Sequence, residues 1–372
     1  MTTITLKSSN GETYTYKSND LLGRGTYGTV FKCVRGSDSK VFALKLIPRY
    51  KLDEMKDYLY DALKRENSIQ RIATDSRFPF FVGLYDDFSD ESNMYMVLEK
   101  CDGTLKQFLK DSFKEKDCLH VVFQIGLGLA YLHARGFAHR DIKVDNIFIL
   151  DGIAKIGDFG FASNLDKLTT NLGTPPYMSP EFYKDTEENY GPKVDVWALN
   201  TSLYYLLFRK FYFSPHDRAA MRRMVLNQPF VLPPDTPISP PVAKLLARGY
   251  QKDPEDRPSM VDYLYDTAFD EIRPKYKSFL KKIFSILGKP LPGEAAVFPE
   301  KVTPVPDHSV EKHKLLAQLL TFRNNLVNSY GKLLDFLEKH QVNKILSLFI
   351  VKRHVQQLSL VLRAHLKGTG PI

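Results

Sequence analysis

The chain has 372 residues, of which 43% are hydrophobic and 26% charged, and its formal net charge is +9 at pH 7. This length leaves room for two domains, and three cysteines are too few for a disulfide framework, which favours a reducing compartment. The first residues contain no apolar signal core, and no apolar run approaches the ~18 residues of a membrane span. We therefore expect a cytoplasmic protein and leave nuclear or membrane-surface association open.

The first motif in chain order is Gly-x-Gly-x-x-Gly-x-Val, formed by Gly23, Gly25, Gly28 and Val30. Dinucleotide-binding folds carry similar glycines, but they need a helix directly afterwards. Here a β-prone, alternating run follows, which predicts that the glycines form a hairpin tip. Such a tip could lie flat over phosphates and offer them backbone N–H groups. On composition alone, a plain flexible turn is an equal alternative.

The next predicted element is a strand over residues 41–47, in which Lys45 stands among apolar residues. A lysine is rarely placed in such a run unless its ammonium group has a partner. Apolar residues then recur at helical spacing between residues 53 and 72, which predicts a helix. A further strand, ending near Glu99, leads into a short connector that contains Cys101, by default a small hydrophobic residue.

Residues 139–146 then read HRDIKVDN, and residues 158–160 read DFG. Between them lie two alternating apolar runs joined by an Asp-Gly pair, which predicts a β-hairpin. A hairpin brings the residues before its first strand close to those after its second. Asp141, Asn146 and Asp158 should therefore converge on one small volume.

Carboxylates gathered in this way repel one another unless a cation lies between them, and Mg²⁺ prefers such oxygen ligands. The hairpin therefore predicts a Mg²⁺ site. An ordinary hairpin with solvated acids is the alternative for any single acid here. The two motifs together argue against that alternative, because their residues have the order and spacing of one known set of catalytic motifs.

His-Arg-Asp-x-Lys-x-x-Asn followed by Asp-Phe-Gly resembles the catalytic and metal-binding loops of a eukaryotic serine/threonine protein kinase. The other motifs of that family occur in the expected order, so the resemblance covers about residues 15–270. It implies an α+β, bilobal fold with a small β-rich N-lobe containing one main helix, here residues 1–99. A larger helical C-lobe would span residues 100–270.

The resemblance also implies the cofactors ATP and Mg²⁺ and assigns the nucleotide-binding residues. Lys45 would hold the α- and β-phosphates, paired with Glu66 on the following helix; Glu54 is a weaker alternative because it lies near the predicted helix start. The glycine tip would cover the phosphates. The adenine ring would bond to backbone groups of Glu99 and Cys101, and Leu98 would lie beside the base and limit the size of the pocket.

The same resemblance assigns the chemistry of phosphoryl transfer to protein substrates. Asn146 and Asp158 would hold Mg²⁺, Asp141 would accept or orient the proton of the acceptor hydroxyl, and Lys143 would steady the γ-phosphate. A kinase-fold scaffold that binds nucleotide or partners without turnover is the alternative. Loss of Lys45, Asp141 or Asp158 would have indicated such a scaffold, and all three residues are present.

The segment after the DFG motif ends in Ser-Pro-Glu and resembles the activation segment of the family. Thr174 would lie in the substrate loop, and together with Lys143 it fits the serine/threonine branch. Thr170 is the preferred candidate for an activating phosphate, and Thr169 is nearly as plausible. Arg140 could pair with such a phosphate through charge-assisted hydrogen bonds. Two ordinary loop threonines are the alternative.

Two further residues resemble structural positions of the family. Asp195 matches an anchor beneath the catalytic loop, and Arg257 matches the arginine that pairs with Glu181. We interpret these residues as architecture, because buried ion pairs fix geometry more than they add stability. The chain departs from the family pattern at Asn200, where glycine is usual, so helix packing there should differ.

The excess positive charge lies in the C-terminal tail. Residues 271–372 hold 17 Lys and Arg against 7 Asp and Glu, a net charge of +10, whereas the first 270 residues hold 35 against 36, a net charge of −1. Residues 271–310 are predicted to form a basic helix and a proline-bearing linker. Residues 311–372 show two amphipathic patterns, which predict an all-α helical hairpin.

The role of the tail has three candidate explanations. The first is a small helical module that packs on itself or on the kinase domain. The second is a module that docks a regulatory partner, and the third is a basic surface for an anionic membrane, with nucleic acid the less expected ligand. The layout is faintly similar to autophagy-initiating kinases with a helical C-terminal module. An adaptor that acts mainly through this tail is therefore the alternative function.

Two acidic residues bear on substrate preference. Asp145, just before Asn146, and Asp102, near the connector, lie where acids could favour basic residues beside the acceptor. A solvated acid is an equal alternative for each of them.

Overall fold

The computed structural model describes residues 2–25, 28–50, 68–109, 113–159, 163–164, 174–184, 191–214 and 217–292. The chain divides into two compact units, residues 1–294 and 295–372. The second unit lies outside the described residues, and so does the predicted helical hairpin 311–372. The domain boundaries inferred from the sequence stay predictions.

The N-terminal part of the first unit is a six-stranded antiparallel sheet with strand order β1-β2-β3-β4-β6-β5. The strands are β1 (Thr3–Lys7), β2 (Thr13–Arg24), β3 (Thr29–Arg35), β4 (Val41–Pro48), β5 (Leu84–Ser89) and β6 (Asn93–Glu99). Between β4 and β5, residues 68–75 are helical and are named α1 here.

The sheet forms because its strands alternate apolar and polar residues and so bury one face. Leu44 and Val97 are fully buried in this core, and each buried side chain of that size contributes about 1.5–3 kcal/mol. The predicted glycine hairpin is confirmed, since β2 pairs with β3 and the N–H of Gly25 donates to the carbonyl of Gly28 at 2.9 Å.

The remainder of the first unit is mainly helical, with two small sheets. Its helices are α2 (Leu105–Phe108), α3 (Glu115–Ala134), α4 (Lys193–Phe208), α5 (Arg218–Asn227), α6 (Pro240–Gly249), α7 (Met260–Leu264) and α8 (Lys277–Ile286). Its short strands are β7 (Gly103–Thr104), β8 (Phe137–Ala138), β9 (Ile147–Leu150), β10 (Ile153–Ile156) and β11 (Ser163–Asn164).

Helices α3 and α4 form the centre of this lobe, and both are apolar around most of their circumference because they are packed on all sides. Trp197 on α4 is fully buried and stacks on Phe213, with ring centroids 5.7 Å apart. A β-rich lobe and a helical lobe are thus both present, which confirms the predicted α+β kinase-like fold.

Helix α8 is the basic helix that the sequence analysis placed in the tail, and it packs within the first unit. Its Leu280 and Ile283 are buried, and Phe279 contacts Phe78 and Phe80, with ring centroids 5.2 and 5.0 Å apart. The Lys282 ammonium group donates to the carbonyl of Ser76 at 2.5 Å. This cation therefore stabilises the carbonyl end of α1.

None of the helices within the described ranges has both the length and the apolar character that crossing a lipid bilayer requires.

Candidate active site

The hairpin between the two acidic motifs is formed as predicted by β9 and β10, which pair Ile147 with Ile156 at its open end. The turn residues Asp151 and Gly152 have positive φ angles of 50° and 75°, as a tight hairpin turn requires. Beyond the last pair, the N–H of Gly157 donates to the carbonyl of Asn146 at 3.0 Å. The hairpin therefore brings Asn146 next to the start of the DFG motif.

Asp141 is the centre of a compact hydrogen-bonded cluster. Its carboxylate lies 2.7 Å from the Lys143 ammonium group and accepts a bond from the Asn146 amide at 2.9 Å. The Thr174 hydroxyl donates to the other carboxylate oxygen at 3.2 Å and accepts from Lys143 at 2.8 Å. Three residues of the HRDIKVDN motif thus meet Thr174 of the activation segment at one point.

The loop that carries Asp141 is held from below by Asp195, which lies on α4 and is fully buried. Its carboxylate accepts the backbone N–H groups of His139 and Arg140, each at 2.8 Å, and contacts the His133 ring at 2.8 Å. Burial raises the pKa of Asp195, but the bonds from the histidines outweigh burial, and the net pKa is lowered. The predicted anchoring contact is present.

Lys45 on β4 and Asp158 after β10 are in contact, with 3.3 Å between the ammonium nitrogen and a carboxylate oxygen. Lys45 is the largest influence that lowers the pKa of Asp158, so this carboxylate stays ionised. The Asp158 side chain is 42% exposed and therefore accessible to a ligand. Its backbone has a φ of 57°, a strained value for a residue other than glycine and one found preferentially at functional sites.

Phe159 secures the DFG motif in the core. It is fully buried, with its ring 5.1 Å from the ring of His139 and 6.2 Å from that of Phe81. Burial lowers the pKa of His139, whose ring contacts the carbonyl of Gly157 at 3.2 Å. A neutral imidazole therefore links the catalytic loop to the residue before Asp158.

Gly28 shows why the hairpin tip needs one of its glycines. A Cβ atom at this position would lie 2.3 Å from the carbonyl oxygen of Leu46 on β4. At Gly23, by contrast, a Cβ atom would meet no atom within 4 Å. Val30 pairs directly with Lys45 in the sheet, so the glycine hairpin and the lysine strand are adjacent.

The connector after β6 begins at Glu99, whose N–H donates to the carbonyl of Gly83 at 2.8 Å. Leu98 pairs with Ala43 in the sheet, next to the strand that carries Lys45. Cys101 follows, and burial raises the pKa of its thiol to about 12. A thiol with such a pKa is a weak nucleophile, in agreement with its prediction as a hydrophobic residue.

One interaction of the connector was missed by the sequence analysis. The Glu99 carboxylate lies 3.0 Å from the ammonium group of Lys155 on β10. The signal was present, because Lys155 stands among apolar residues of a strand just as Lys45 does.

The two acids considered for substrate preference both have protein partners. Asp145 pairs with Lys106 at 3.0 Å, and Asp102 accepts the backbone N–H of Asp151 at 3.1 Å. Asp102 is nevertheless exposed and the Asp145 side chain is 45% exposed, so a role in substrate preference and the alternative of a solvated acid both stay predictions.

Glu66 and its alternative Glu54, the phosphate candidates Thr169 and Thr170, and Gly160 of the DFG motif lie outside the described residues.

Arg257 and Asn200 each have defined hydrogen-bond partners. Arg257 is buried and binds both carboxylate oxygens of Glu181, at 2.8 and 3.0 Å. Asn200 is buried and bonds to the carbonyl of Leu246 and to the Tyr263 hydroxyl, each at 3.0 Å. Its side chain occupies space left by Gly249, where a Cβ atom would lie 2.2 Å from Asn200 Cγ. A glycine on the neighbouring helix thus compensates for the one missing at Asn200.

Among the residues that the structure describes, no group of three or more His, Cys, Asp or Glu side chains could hold a metal ion. Mg²⁺ in nucleotide sites characteristically takes only one or two side-chain ligands and completes its shell with phosphates and water. Asn146 and Asp158 fit such a site, since one supplies an amide and the other an accessible, ionised carboxylate.

The chain belongs to the protein kinase domain family, whose model matches residues 16–269. Similar proteins include the serine/threonine-protein kinase PLK2 of Rattus norvegicus, 30% identical over 262 residues, which are 68% of this chain and 37% of that protein. The serine/threonine-protein kinase Nek5 of Homo sapiens is 30% identical over 270 residues, 68% of this chain and 36% of that protein.

The serine/threonine-protein kinase ppk11 of Schizosaccharomyces pombe is 30% identical over 271 residues, which are 69% of this chain and 82% of that protein. The chain therefore spans little more than a third of the length of PLK2 and Nek5 but most of the length of ppk11. In each case the similarity supports a serine/threonine kinase domain.

Proposed function

We propose that this protein is an ATP- and Mg²⁺-dependent serine/threonine protein kinase that transfers the γ-phosphate of ATP to hydroxyl groups of protein substrates. The observation that carries the proposal is the cluster in which Asp141 contacts Lys143, Thr174 and Asn146. Asp158 and Lys45 lie beside the same hairpin, 3.3 Å from each other. A scaffold without phosphoryl transfer would not require all of these residue types.

Each residue has a separate task in this reaction. Asn146 and Asp158 would hold Mg²⁺, which when bound neutralises charge on the phosphates. Lys45 would orient the α- and β-phosphates, and the glycine hairpin would cover them and exclude water. The backbone of Glu99 and Cys101 would bind the adenine ring beside Leu98.

Asp141 would receive the proton of the acceptor hydroxyl as the hydroxyl oxygen bonds to the γ-phosphorus and the bond to ADP breaks. Lys143 already bridges Asp141 and Thr174, so its ammonium group would lie beside the transferring phosphoryl group and stabilise its charge. Thr174 would orient the lysine and the substrate loop.

Regulation by phosphate at Thr170, or at Thr169, is part of this proposal. Arg140 precedes the catalytic aspartate, is buried and has a φ of 71°, so its position is constrained by the loop. A phosphate on the activation segment would give this cation a new charge-assisted partner. The basic tail, residues 271–372, is proposed to bind a regulatory partner or an anionic membrane surface of the cytoplasm.

The test compares the wild-type protein with Asp158→Ala for transfer of labelled phosphate from ATP to a generic basic protein. Asp151→Asn is the matched control, because it changes an acid at the tip of the same hairpin. We expect transfer by the wild type and the control, and none by Asp158→Ala. If the wild type transfers no more label than Asp158→Ala, even after phosphorylation of the activation segment, the proposal is contradicted and a scaffold is favoured.

A further inference from the structure

Lys155 and Glu99 form a largely buried ion pair close to the candidate active site. The ammonium nitrogen lies 3.0 Å from the carboxylate, and the two side chains are only 9% and 20% exposed. Taking two charges out of water is costly, and replacing a buried pair by apolar residues is often neutral or stabilising. Stability alone is therefore a weak explanation for this pair.

The pair is part of a network that crosses a third segment of chain. The Glu99 carboxylate accepts the N–H of Gly83 at 3.2 Å, and the Lys155 ammonium group reaches the carbonyl of Phe81 at 3.4 Å. The backbones are joined as well, since Glu99 N–H donates to Gly83 at 2.8 Å and Val82 N–H donates to Ile156 at 2.9 Å. Residues 81–83 thus tie the connector to β10.

The two ends of this network lead to different parts of the nucleotide site. Glu99 is the last residue of β6 and the first of the connector assigned to adenine. Lys155 lies on β10, three positions before Asp158. Between Lys155 and Asp158 the chain is closely packed, because a Cβ atom at Gly157 would lie 2.6 Å from the Phe148 ring. A shift of β10 would therefore be transmitted to Asp158.

We propose that Lys155 and Glu99 are positioning residues that couple occupation of the adenine connector to the placement of the metal-binding carboxylate. This inference rests on the proposed function. With the pair intact, a nucleotide that binds the connector finds Asp158 already aligned for Mg²⁺ on the phosphates. Without the pair, the adenine connector and Asp158 move independently of each other, so Mg²⁺ adds less to nucleotide affinity.

The experiment measures ADP binding by calorimetry in excess Mg²⁺ and in EDTA, and it takes the ratio of the two affinities as the coupling. The variants are Lys155→Met, Glu99→Gln and the double variant, in which no charge remains buried. Arg248→Met is the matched control, because it removes a partly buried pair with Asp266 elsewhere in the helical lobe. Thermal unfolding is recorded for every variant.

We expect the coupling to fall about fivefold or more in both single variants and in the double variant, a loss within the usual range for coupled sites. The double variant should nevertheless regain thermal stability relative to the single variants, because neither charge is left without its countercharge. Arg248→Met should lose stability and keep the wild-type coupling. The affinity for a peptide substrate should not change in any of these variants.

A double variant with wild-type coupling would overturn the inference and leave the pair a structural one. If a single variant does not fold, the double variant still decides the question. Failure of the wild-type protein to bind ADP with Mg²⁺ would instead contradict the proposed function itself, so the two failures are distinguishable.

Discussion

The catalytic loop and the glycine hairpin both adjoin the Lys45–Asp158 contact but are built in opposite ways. The catalytic loop is almost completely buried, with Asp141 only 3% exposed and its carboxylate held by three neighbouring groups. The hairpin side is open, with Leu21 and Leu22 exposed by 43% and 47% and space around Gly23.

This difference separates two requirements of phosphoryl transfer. Groups that handle a proton and a developing charge must be preorganised, because their contribution depends on fixed geometry. A cover over the phosphates must instead admit a nucleotide and release it, so few side chains constrain it. In the proposed reaction, the buried hydrogen-bond network around Asp141 would meet the first requirement, and the glycine hairpin would meet the second.

The largest expected effect follows from altering the buried side. Asp141→Asn keeps the shape of the side chain but removes the group that accepts a proton, so kcat should fall by about 10²–10⁴-fold. Affinity for ADP with Mg²⁺ should stay within about twofold, because Asp141 is not assigned to the nucleotide. Steady-state kinetics and calorimetry measure the two quantities. Turnover within tenfold of wild type would remove Asp141 from the chemistry.

A pair of glycine substitutions tests the open side. Gly28→Ala directs a methyl group at the backbone carbonyl of Leu46, which cannot rotate away, so unfolding free energy should drop by about 3 kcal/mol. Gly23→Ala meets open space and should change stability by less than about 0.5 kcal/mol. Denaturant unfolding compares the two variants. Similar losses for both would mean that the hairpin is constrained throughout.

A third prediction concerns the packing of α4 against α6. Gly249→Ala places a methyl group against Asn200 Cγ and should cost about 2 kcal/mol, less than at Gly28 because a side chain can shift. Adding Asn200→Gly should recover part of this loss, although Leu246 and Tyr263 then lose their bonding partner. A double-mutant cycle measures the coupling. Additive losses would show that the two positions do not share one space.

The smallest expected effect is a pH dependence in the helical lobe. Burial, and to a lesser extent Arg257, lowers the pKa of Lys252 to about 8 from its ordinary 10.5. Between pH 8 and 10.5 the unfolded chain therefore binds more protons, and stability should rise with pH by about 1 kcal/mol after allowance for solvent screening. Below pH 8 the lysine is charged in both states, so this contribution is constant.

Lys252→Met should abolish that rise while keeping the contact with the Phe213 ring, which lies 4.2 Å from the ammonium nitrogen. Urea unfolding of both proteins at several pH values provides the comparison. Identical pH profiles would mean that Lys252 has an ordinary pKa in the folded protein.

Much of the candidate site was predictable because its residues lie in short motifs joined by a local element. Asp141, Asn146 and the DFG motif are separated by one hairpin, and both the alternation and the Asp-Gly turn of that hairpin are visible in the sequence. The same holds for the glycine tip between β2 and β3. Local patterns determine such elements before any long-range contact is known.

Contacts between distant positions were less predictable. Lys155 carried the signal of a lysine in an apolar strand, but nothing in the sequence identified Glu99 as its partner. Asn200 was recognised as a departure, whereas its compensation by Gly249 depends on how two helices pack. The lysines of α8 indicated a basic surface, although Lys282 is directed to Ser76 within the domain. These outcomes depend on tertiary packing, which pattern and propensity do not encode.

Helix α8 begins after residue 269, where the family match ends, yet Phe279 covers Phe78 and Phe80. A recombinant protein trimmed at that limit would expose this aromatic patch to water beside the carbonyl end of α1. If such a fragment expresses poorly, we expect the cause to be exposure of this aromatic patch and not instability of the rest of the domain. The compact first unit extends to residue 294, well beyond the end of the family match at residue 269.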